Sequence, residues 1–191
     1  MAIKTFTTGE VLTASDTNTY LANSGLVYVG GFSLSALSNN ITSVFSSTYD
    51  AYRVVISNFY STTTTTRIIT MRMLTGTTPD TGATYYWNNQ YIYNAGTNGT
   101  TGANLDTSMR IGFSASNASG QSMVLEIVNP NLATSTTVSY DSIVYQSDAS
   151  NFVGYKGWGV ANTGSQYTGF QIIGTTDALS GQVRVYGYRK A

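Results

Sequence analysis

The sequence contains no histidine and no cysteine, and it has few charged residues of either sign. Nine acidic and nine basic side chains make up only 9% of its 191 residues, against roughly a quarter in an ordinary soluble domain. Histidine is the usual proton carrier near neutral pH, and histidine and cysteine supply most transition-metal ligands and covalent nucleophiles. We therefore predict that the chain is not an enzyme and that it holds no metal ion and no cofactor.

Two further absences exclude other classes of protein. The net charge is zero and the basic residues are scattered singly, except for Arg189 and Lys190, whereas nucleic-acid binders carry a basic patch or stripe. No apolar run approaches the roughly 20 residues that span a bilayer, and residues 1–6 lack the apolar stretch of a secretion signal. We expect no nucleic-acid partner, no membrane insertion and maturation in a cytosol.

The residues that are abundant favour a folded domain with large contact surfaces. Hydrophobic residues make up 41% of the chain and aromatic residues 13%, with 15 tyrosines and 19 glycines. Disordered chains are poor in aromatic and β-branched residues, so this composition predicts a real core. Few charges and zero net charge reduce the solubility of a free monomer. The composition thus favours a chain that is covered by neighbours in a larger assembly.

The first 25 residues contain the one convincing helix signal. Thr13 and Asp16 have the spacing of a capping box, Leu12 precedes the cap, and Gly25 is suited to a left-handed stop after the last turn. A helix of roughly 10 residues is marginal on its own. We therefore expect it to dock, either on its own domain or on a neighbouring subunit.

The strongest strand signal lies at residues 51–60, where apolar side chains alternate. One predicted face carries Tyr52, Val54 and Ile56, and the other carries Arg53, Val55 and Phe59. A second strand is predicted at 67–74, and the threonine run at 62–66 is interpreted as the hairpin loop between the two.

Most of the remaining sequence also has the pattern of short strands separated by Gly, Asn, Ser and Thr clusters. Loops are predicted at 76–82, 94–102 and 116–120. Further strands are predicted at 26–36, 41–46, 84–94, 106–115, 121–128, 135–146, 152–161, 169–174 and 182–189. Many short strands of similar spacing favour a sandwich or barrel. We predict an all-β fold, a jelly-roll-like β-sandwich over residues 26–191, preceded by a short N-terminal helical arm over residues 1–25.

Residues 6–21, FTTGEVLTASDTNTYL, resemble the "GxVLTAxDxNxYL" opening of many tailed-bacteriophage virion proteins. Three later segments are similar to phage structural domains. These are YDAYRVVISN at 49–58, IVNP at 127–130 and GQVRVYGYRK at 181–190. The resemblance spans most of the chain. It implies a tail-fibre, head-fibre or capsid-decoration component built as a β-sandwich.

The resemblance also implies partners and a location. Such proteins are commonly homotrimers within the virion, assembled in the host cytoplasm, and they contact other virion proteins or the host surface. The N-terminal segment would be the docking arm, in which Asp16 caps the helix. The other residues assigned to the arm are apolar: Phe6, Val11, Leu12, Tyr20 and Leu21. The alternative is that this helix folds back onto its own sandwich.

Several aromatic residues are candidates for contact with a host surface glycan, because flat aromatic rings stack on sugar rings. The candidates are Tyr85, Trp87, Tyr91 and Trp158. Aromatic side chains are also favoured in strands for packing alone, so burial in the sandwich or in a trimer interface is the alternative. A glycan-binding adhesin is accordingly the second functional hypothesis.

Two other features have a functional and a structural interpretation. The glycine-rich residues 154–159 invite comparison with a phosphate-binding loop, but the spacing is wrong and no helix signal follows, so a strand is predicted. Glu126 could serve as a glycosidase acid, which would need a second carboxylate at a defined separation. The favoured role for Glu126 is an ion pair with one of four arginines: Arg53, Arg72, Arg110 or Arg184.

Overall fold

The computed structural model describes residues 7–11, 13, 25–62, 67–94, 96–114, 121–146 and 151–189. Within these ranges, 67% of the residues lie in β-strands and none lies in a helix. The all-β prediction is confirmed. The predicted helix falls almost entirely on residues outside the described ranges, so no helical arm is shown. Among the described residues, no helix is long and apolar enough to cross a membrane.

Thirteen strands follow one another in the described part of the chain. They are β1 (Leu26–Leu34), β2 (Ser38–Ile41), β3 (Ala51–Ser61), β4 (Arg67–Thr75), β5 (Thr78–Pro79), β6 (Tyr85–Tyr93), β7 (Asn98–Asp106), β8 (Met109–Ser114), β9 (Gln121–Val128), β10 (Thr136–Gln146), β11 (Asn151–Ala161), β12 (Gly169–Gly174) and β13 (Leu179–Tyr188).

The strands form two sheets in a sandwich-like arrangement. The large sheet has eight strands in the order β1-β13-β3-β9-β10-β11-β6-β7. The small sheet has five strands: β12 lies between β2 and β4, and both β5 and β8 pair with β4. The described strand pairs are antiparallel. The strand number and order differ from a jelly roll, which has eight strands in two Greek keys.

The core lies between the two sheets and is built by alternation along the strands. Tyr52, Val54 and Ile56 of β3 are buried, as predicted, and they belong to one cluster with Phe170 of β12. Phe45 joins the sheets, because its ring centroid lies 4.7 Å from that of Tyr52 and 5.7 Å from that of Phe170. Each such side chain contributes roughly 1.5–3 kcal/mol by leaving water.

A β-bulge reverses one predicted side-chain orientation in β3. Phe59 was predicted on the face of Arg53 and Val55, but it is buried in the core. The register shifts between Ser57 and Phe59, and Asn58 has a φ of 49°. The extra residue in the bulge turns Phe59 to the opposite face of the strand.

Three other boundaries differ from the prediction. β3 and β4 do not form the predicted hairpin, because they belong to different sheets. The glycine-rich stretch at 94–102 is a loop only in its first part, since β7 begins at Asn98 and pairs with β6. The strand expected at 41–46 is displaced to Ser38–Ile41. The first two corrections are consequences of pairing between strands, which a local pattern does not contain.

Candidate functional site

The face of the large sheet that is turned away from the core carries exposed apolar side chains. On β6, β10 and β11 these are Ile92, Ile143, Phe152 and Trp158, here called the apolar patch. Ile143 is 61% exposed. A strand with apolar residues on both faces, as in 138–145, was the sequence signal for this patch. Ile92 and Ile143 were not predicted as surface residues.

A shallow groove of about 470 Å³ is lined by Ile92 and Ile143 of the apolar patch. Ile143, Gly154 and Ile92 are consecutive cross-strand partners, and Gly154 supplies no side chain between the two isoleucines. Lys156 and Asp141 border the groove with an exposed ion pair at 3.7 Å. The groove is therefore an apolar depression whose border carries one charge of each sign.

Trp158 lies on the same outer face, beside a second concavity of about 420 Å³. Its cross-strand neighbour is Asn88, whose own neighbour on β7 is Gly102. Trp158 is 53% exposed, and among the described residues the amide groups of Asn88 and Asn104 have no hydrogen-bond partner. An exposed indole beside free amides has the chemistry of a sugar-stacking surface.

The structure does not bring the four predicted glycan residues together. Tyr85, Trp87 and Tyr91 occupy alternate positions of β6 that point toward the core side, opposite to Trp158. Tyr85 is fully buried; its hydroxyl accepts a hydrogen bond from the Met73 backbone N–H at 3.0 Å, and burial raises its pKa. Tyr91 is half-buried, with its ring centroid 5.7 Å from that of Tyr155. Tyr85 is therefore buried in the sandwich, which was the alternative to glycan contact. Of the four rings, Trp158 has the most exposed surface.

Trp87 is half-buried and packs against the core. Its indole Nε1 donates a hydrogen bond to Asp106 Oδ2 at 3.0 Å. The ring also lines a cleft of about 410 Å³ on the side of the small sheet, together with Arg72 and Arg110. Trp87 therefore lines this cleft as well as the concavity beside Trp158, whereas Trp158 lines only the latter of the two.

Glu126 has the structural role that the sequence favoured. Its Oε1 lies 3.2 Å from Arg53 Nη1, and its Oε2 accepts a hydrogen bond from the Tyr188 hydroxyl at 2.9 Å. Of the four arginines considered, Arg53 is the partner. Within the described residues, no group of three or more Asp and Glu side chains is placed to hold a metal ion.

The glycine-rich residues 154–159 form part of strand β11, as predicted. A side chain at Gly157 would lie 2.4 Å from the Asn88 carbonyl oxygen, and one at Gly159 would lie 2.3 Å from Met109 Sδ. Gly154 is different, because its nearest neighbour would be 4.0 Å away. Two of the three glycines thus relieve crowding, and the third leaves the groove open.

Most residues of the predicted docking arm lie outside the described ranges. These are Phe6, Leu12, Asp16, Tyr20 and Leu21. Val11 is described and is 78% exposed, and a turn precedes it in which the Glu10 N–H donates to the Thr7 carbonyl at 3.0 Å. Docking by this arm remains a prediction.

Comparison with known proteins gives no family. Neither a known protein family nor a curated protein matches the sequence. Two solved structures show slight similarity. One is the E230A fructofuranosidase of Schwanniomyces occidentalis complexed with fructosylnystose, at 7% identity and a TM-score of 0.24. The match covers 86% of this chain and about a third (34%) of that protein. The other is the CBM2 module of the evolved Dit of Lactobacillus casei BL23 phage J-1, at 8% identity and a TM-score of 0.18, covering 81% of this chain and 69% of the module. Likeness at this level carries no argument about fold or function.

Proposed function

We propose that this chain is a non-enzymatic structural component of a bacteriophage particle, a fibre or decoration protein. Copies of the chain associate, as a homotrimer, through the apolar patch of the large sheet, and residues 1–25 attach the assembly to other virion proteins through a helical arm. The observation that carries the proposal is the apolar patch itself. Contiguous exposed apolar surface is typical of an interaction site rather than of a free monomer.

The composition of the patch indicates which partner covers it. The groove is bordered by one positive and one negative side chain, Lys156 and Asp141, so a second copy of the same chain offers the opposite charge to each. The chain as a whole has equal numbers of acidic and basic residues, so that charge repulsion between copies is small. The phage-like opening at residues 6–21 supports the particle as the setting.

Replacing Ile143 with aspartate is expected to dissociate the oligomer. The variant would add a second carboxylate beside Asp141 and bury it in the contact, which costs several kcal/mol. Light scattering on the purified chain should give a trimer for the parent and a monomer for Ile143→Asp. The matched control is Leu105→Asp, since Leu105 is 60% exposed and lies outside the patch on β7.

The control variant is expected to keep the parent mass and the parent melting temperature. A parent chain that is monomeric at high concentration would contradict self-association. So would an oligomer that survives Ile143→Asp unchanged, because its contact would then lie elsewhere on the molecule.

A second candidate function is a host-glycan-binding adhesin, and the exposed Trp158 beside Asn88 and Asn104 favours it. Trp158→Ala is expected to reduce binding of the purified chain to host cells at least tenfold, since stacking on the sugar face is lost. Tyr28→Ala is the control, because Tyr28 is an equally exposed aromatic residue (59%) at the opposite edge of the same sheet. Equal binding by both variants would remove this candidate.

A further inference from the structure

The cleft beside Trp87 is lined by side chains from both sheets. Strand β4 contributes Ile68, Thr70 and Arg72, and β8 contributes Arg110. Trp87 and Asp106 border it from the β6–β7 hairpin. Its volume of about 410 Å³ falls in the range of small-ligand sites, roughly 300–1,000 Å³. The cleft lies on the side of the small sheet and is separate from the apolar patch.

Two arginines in this cleft have no carboxylate partner. Among the described residues, Arg53 and Arg67 form ion pairs, with Glu126 and Asp177, but neither Arg72 nor Arg110 does. Arg72 donates from Nε to the Thr107 carbonyl at 2.9 Å, which leaves its terminal nitrogens free to bind. Arg110 lies with Cζ 4.2 Å from the centre of the Phe113 ring and its guanidinium interacts with the Tyr155 hydroxyl, while its buried Nε has no hydrogen-bond partner in the part of the chain that the structure describes.

Among the described residues that line the cleft, the one carboxylate is already engaged. Asp106 accepts a hydrogen bond from Trp87 Nε1 at Oδ2, 3.0 Å away, and another from the Thr107 backbone N–H at Oδ1, 2.6 Å away. It therefore holds the indole and the start of the next turn, rather than neutralising an arginine. Two guanidinium groups and one engaged carboxylate leave the cleft positively charged. Burial lowers the pKa of the Arg110 guanidinium, but an arginine remains charged at neutral pH.

We propose that this cleft binds an acidic saccharide through a carboxylate or phosphate group on the sugar. Arg72 and Arg110 hold the anionic group, since a planar guanidinium matches both groups in two parallel hydrogen bonds. The exposed part of the Trp87 ring contacts the apolar face of the sugar. The hydroxyl of Thr70, which has no partner among the described residues, bonds a sugar hydroxyl. This adds a ligand class to the proposed particle component and does not depend on self-association or on Trp158.

The test is calorimetric titration of the full chain with four compounds: glucose, glucuronate, glucose 6-phosphate and inorganic phosphate. Glucuronate differs from glucose only in its carboxylate, so the pair isolates the charge. We expect at least one of the two acidic sugars to bind at least tenfold more tightly than glucose and than inorganic phosphate. Arg72→Gln should weaken that binding at least tenfold. Binding of glucuronate alone or of glucose 6-phosphate alone would identify the anionic group.

The matched control is Arg184→Gln. It removes the same charge from the outer face of the large sheet, where Arg184 donates a hydrogen bond to Ser57 Oγ at 3.4 Å. It should bind the acidic sugar as the parent does. Arg72→Lys keeps the charge but not the planar guanidinium group, so its affinity for the acidic sugar should lie between those of the parent and Arg72→Gln. It replaces Arg72→Gln in the test if Arg72→Gln is unfolded. Equal affinity for glucose and glucuronate, equal affinity for inorganic phosphate, or equal losses in Arg72→Gln and Arg184→Gln would overturn the site. None of these results depends on the oligomeric state, so the proposed function is tested separately, by light scattering on Ile143→Asp.

Discussion

Replacing Gly157 with alanine is expected to lower the free energy of unfolding by about 3 kcal/mol or more. The added Cβ would lie 2.4 Å from the Asn88 carbonyl oxygen and 2.6 Å from the Tyr140 hydroxyl. The first of these atoms belongs to the backbone of β6, so it moves only if strand pairing moves. The second belongs to a buried group whose hydroxyl donates to the Arg110 carbonyl at 2.7 Å. The substitution therefore separates two strands and disturbs a buried hydrogen bond, which itself costs about 1–3 kcal/mol.

The same strand provides the control for this substitution. Gly154→Ala adds the same methyl group at an exposed position with only one atom within reach, at 4.0 Å, so its free energy of unfolding should stay within about 1 kcal/mol of the parent. Urea unfolding followed by circular dichroism measures both variants. Equal stability of Gly157→Ala and Gly154→Ala would contradict the close approach of β11 to β6.

Raising the pH above about 10 is expected to destabilise the protein steeply, because an unfolded tyrosine ionises near that pH. Burial raises the pKa of Tyr85, Tyr140 and Tyr155 in the folded protein, and burial together with the hydrogen bond to Asp80 raises that of Tyr167 to about 12. Between pH 10 and pH 12 the unfolded chain releases four protons that the folded chain retains. The stability from these four groups is complete below pH 10 and is lost as the pH rises. The free energy of unfolding should fall by about 5 kcal/mol per pH unit, at about 1.4 kcal/mol per proton.

Tyrosinate absorbance and circular dichroism, recorded together against pH, measure this loss. Because a domain of this size has a stability of about 5–15 kcal/mol, unfolding should be complete within a few pH units above 10. Four of the 15 tyrosines should ionise only in the unfolding transition. Tyr155→Phe should reduce the pH slope by about one quarter. Ionisation of every tyrosine near pH 10 with the fold intact would contradict the burial of these four rings.

Local sequence pattern predicted much of the fold. The alternation in residues 51–60 identified Tyr52, Val54 and Ile56 as core residues, because a side-chain period of two is a property of the strand itself. The position of Phe59 was beyond this reasoning, since a single bulge at Asn58 reverses the alternation after it. The pairing of β3 with β9 and β13 was also beyond it. Those contacts join segments far apart in the chain, and no period within one strand encodes its partner.

The candidate sites were less accessible to sequence reasoning than the strands were. Aromatic content pointed to Tyr85, Trp87, Tyr91 and Trp158 as a group, but only their places in the sheets show that Tyr85 is buried and that Trp87 and Trp158 lie on opposite faces. Arg72 and Arg110 were considered only as partners for Glu126. Their convergence in one cleft follows from the pairing of β4 with β8, which is a tertiary property.

The central claim is that this chain is built into a phage particle and attached by its first 25 residues. The direct measurement is immunogold electron microscopy of purified particles of the phage proposed to encode it, complemented with either the full chain or a chain lacking residues 1–24. We predict label at one fixed location on particles that carry the full chain. The truncated chain should fold, as judged by circular dichroism, but leave particles unlabelled. Particles without label when the full chain is present would contradict the structural role, and particles labelled equally by the truncated chain would contradict attachment through the arm.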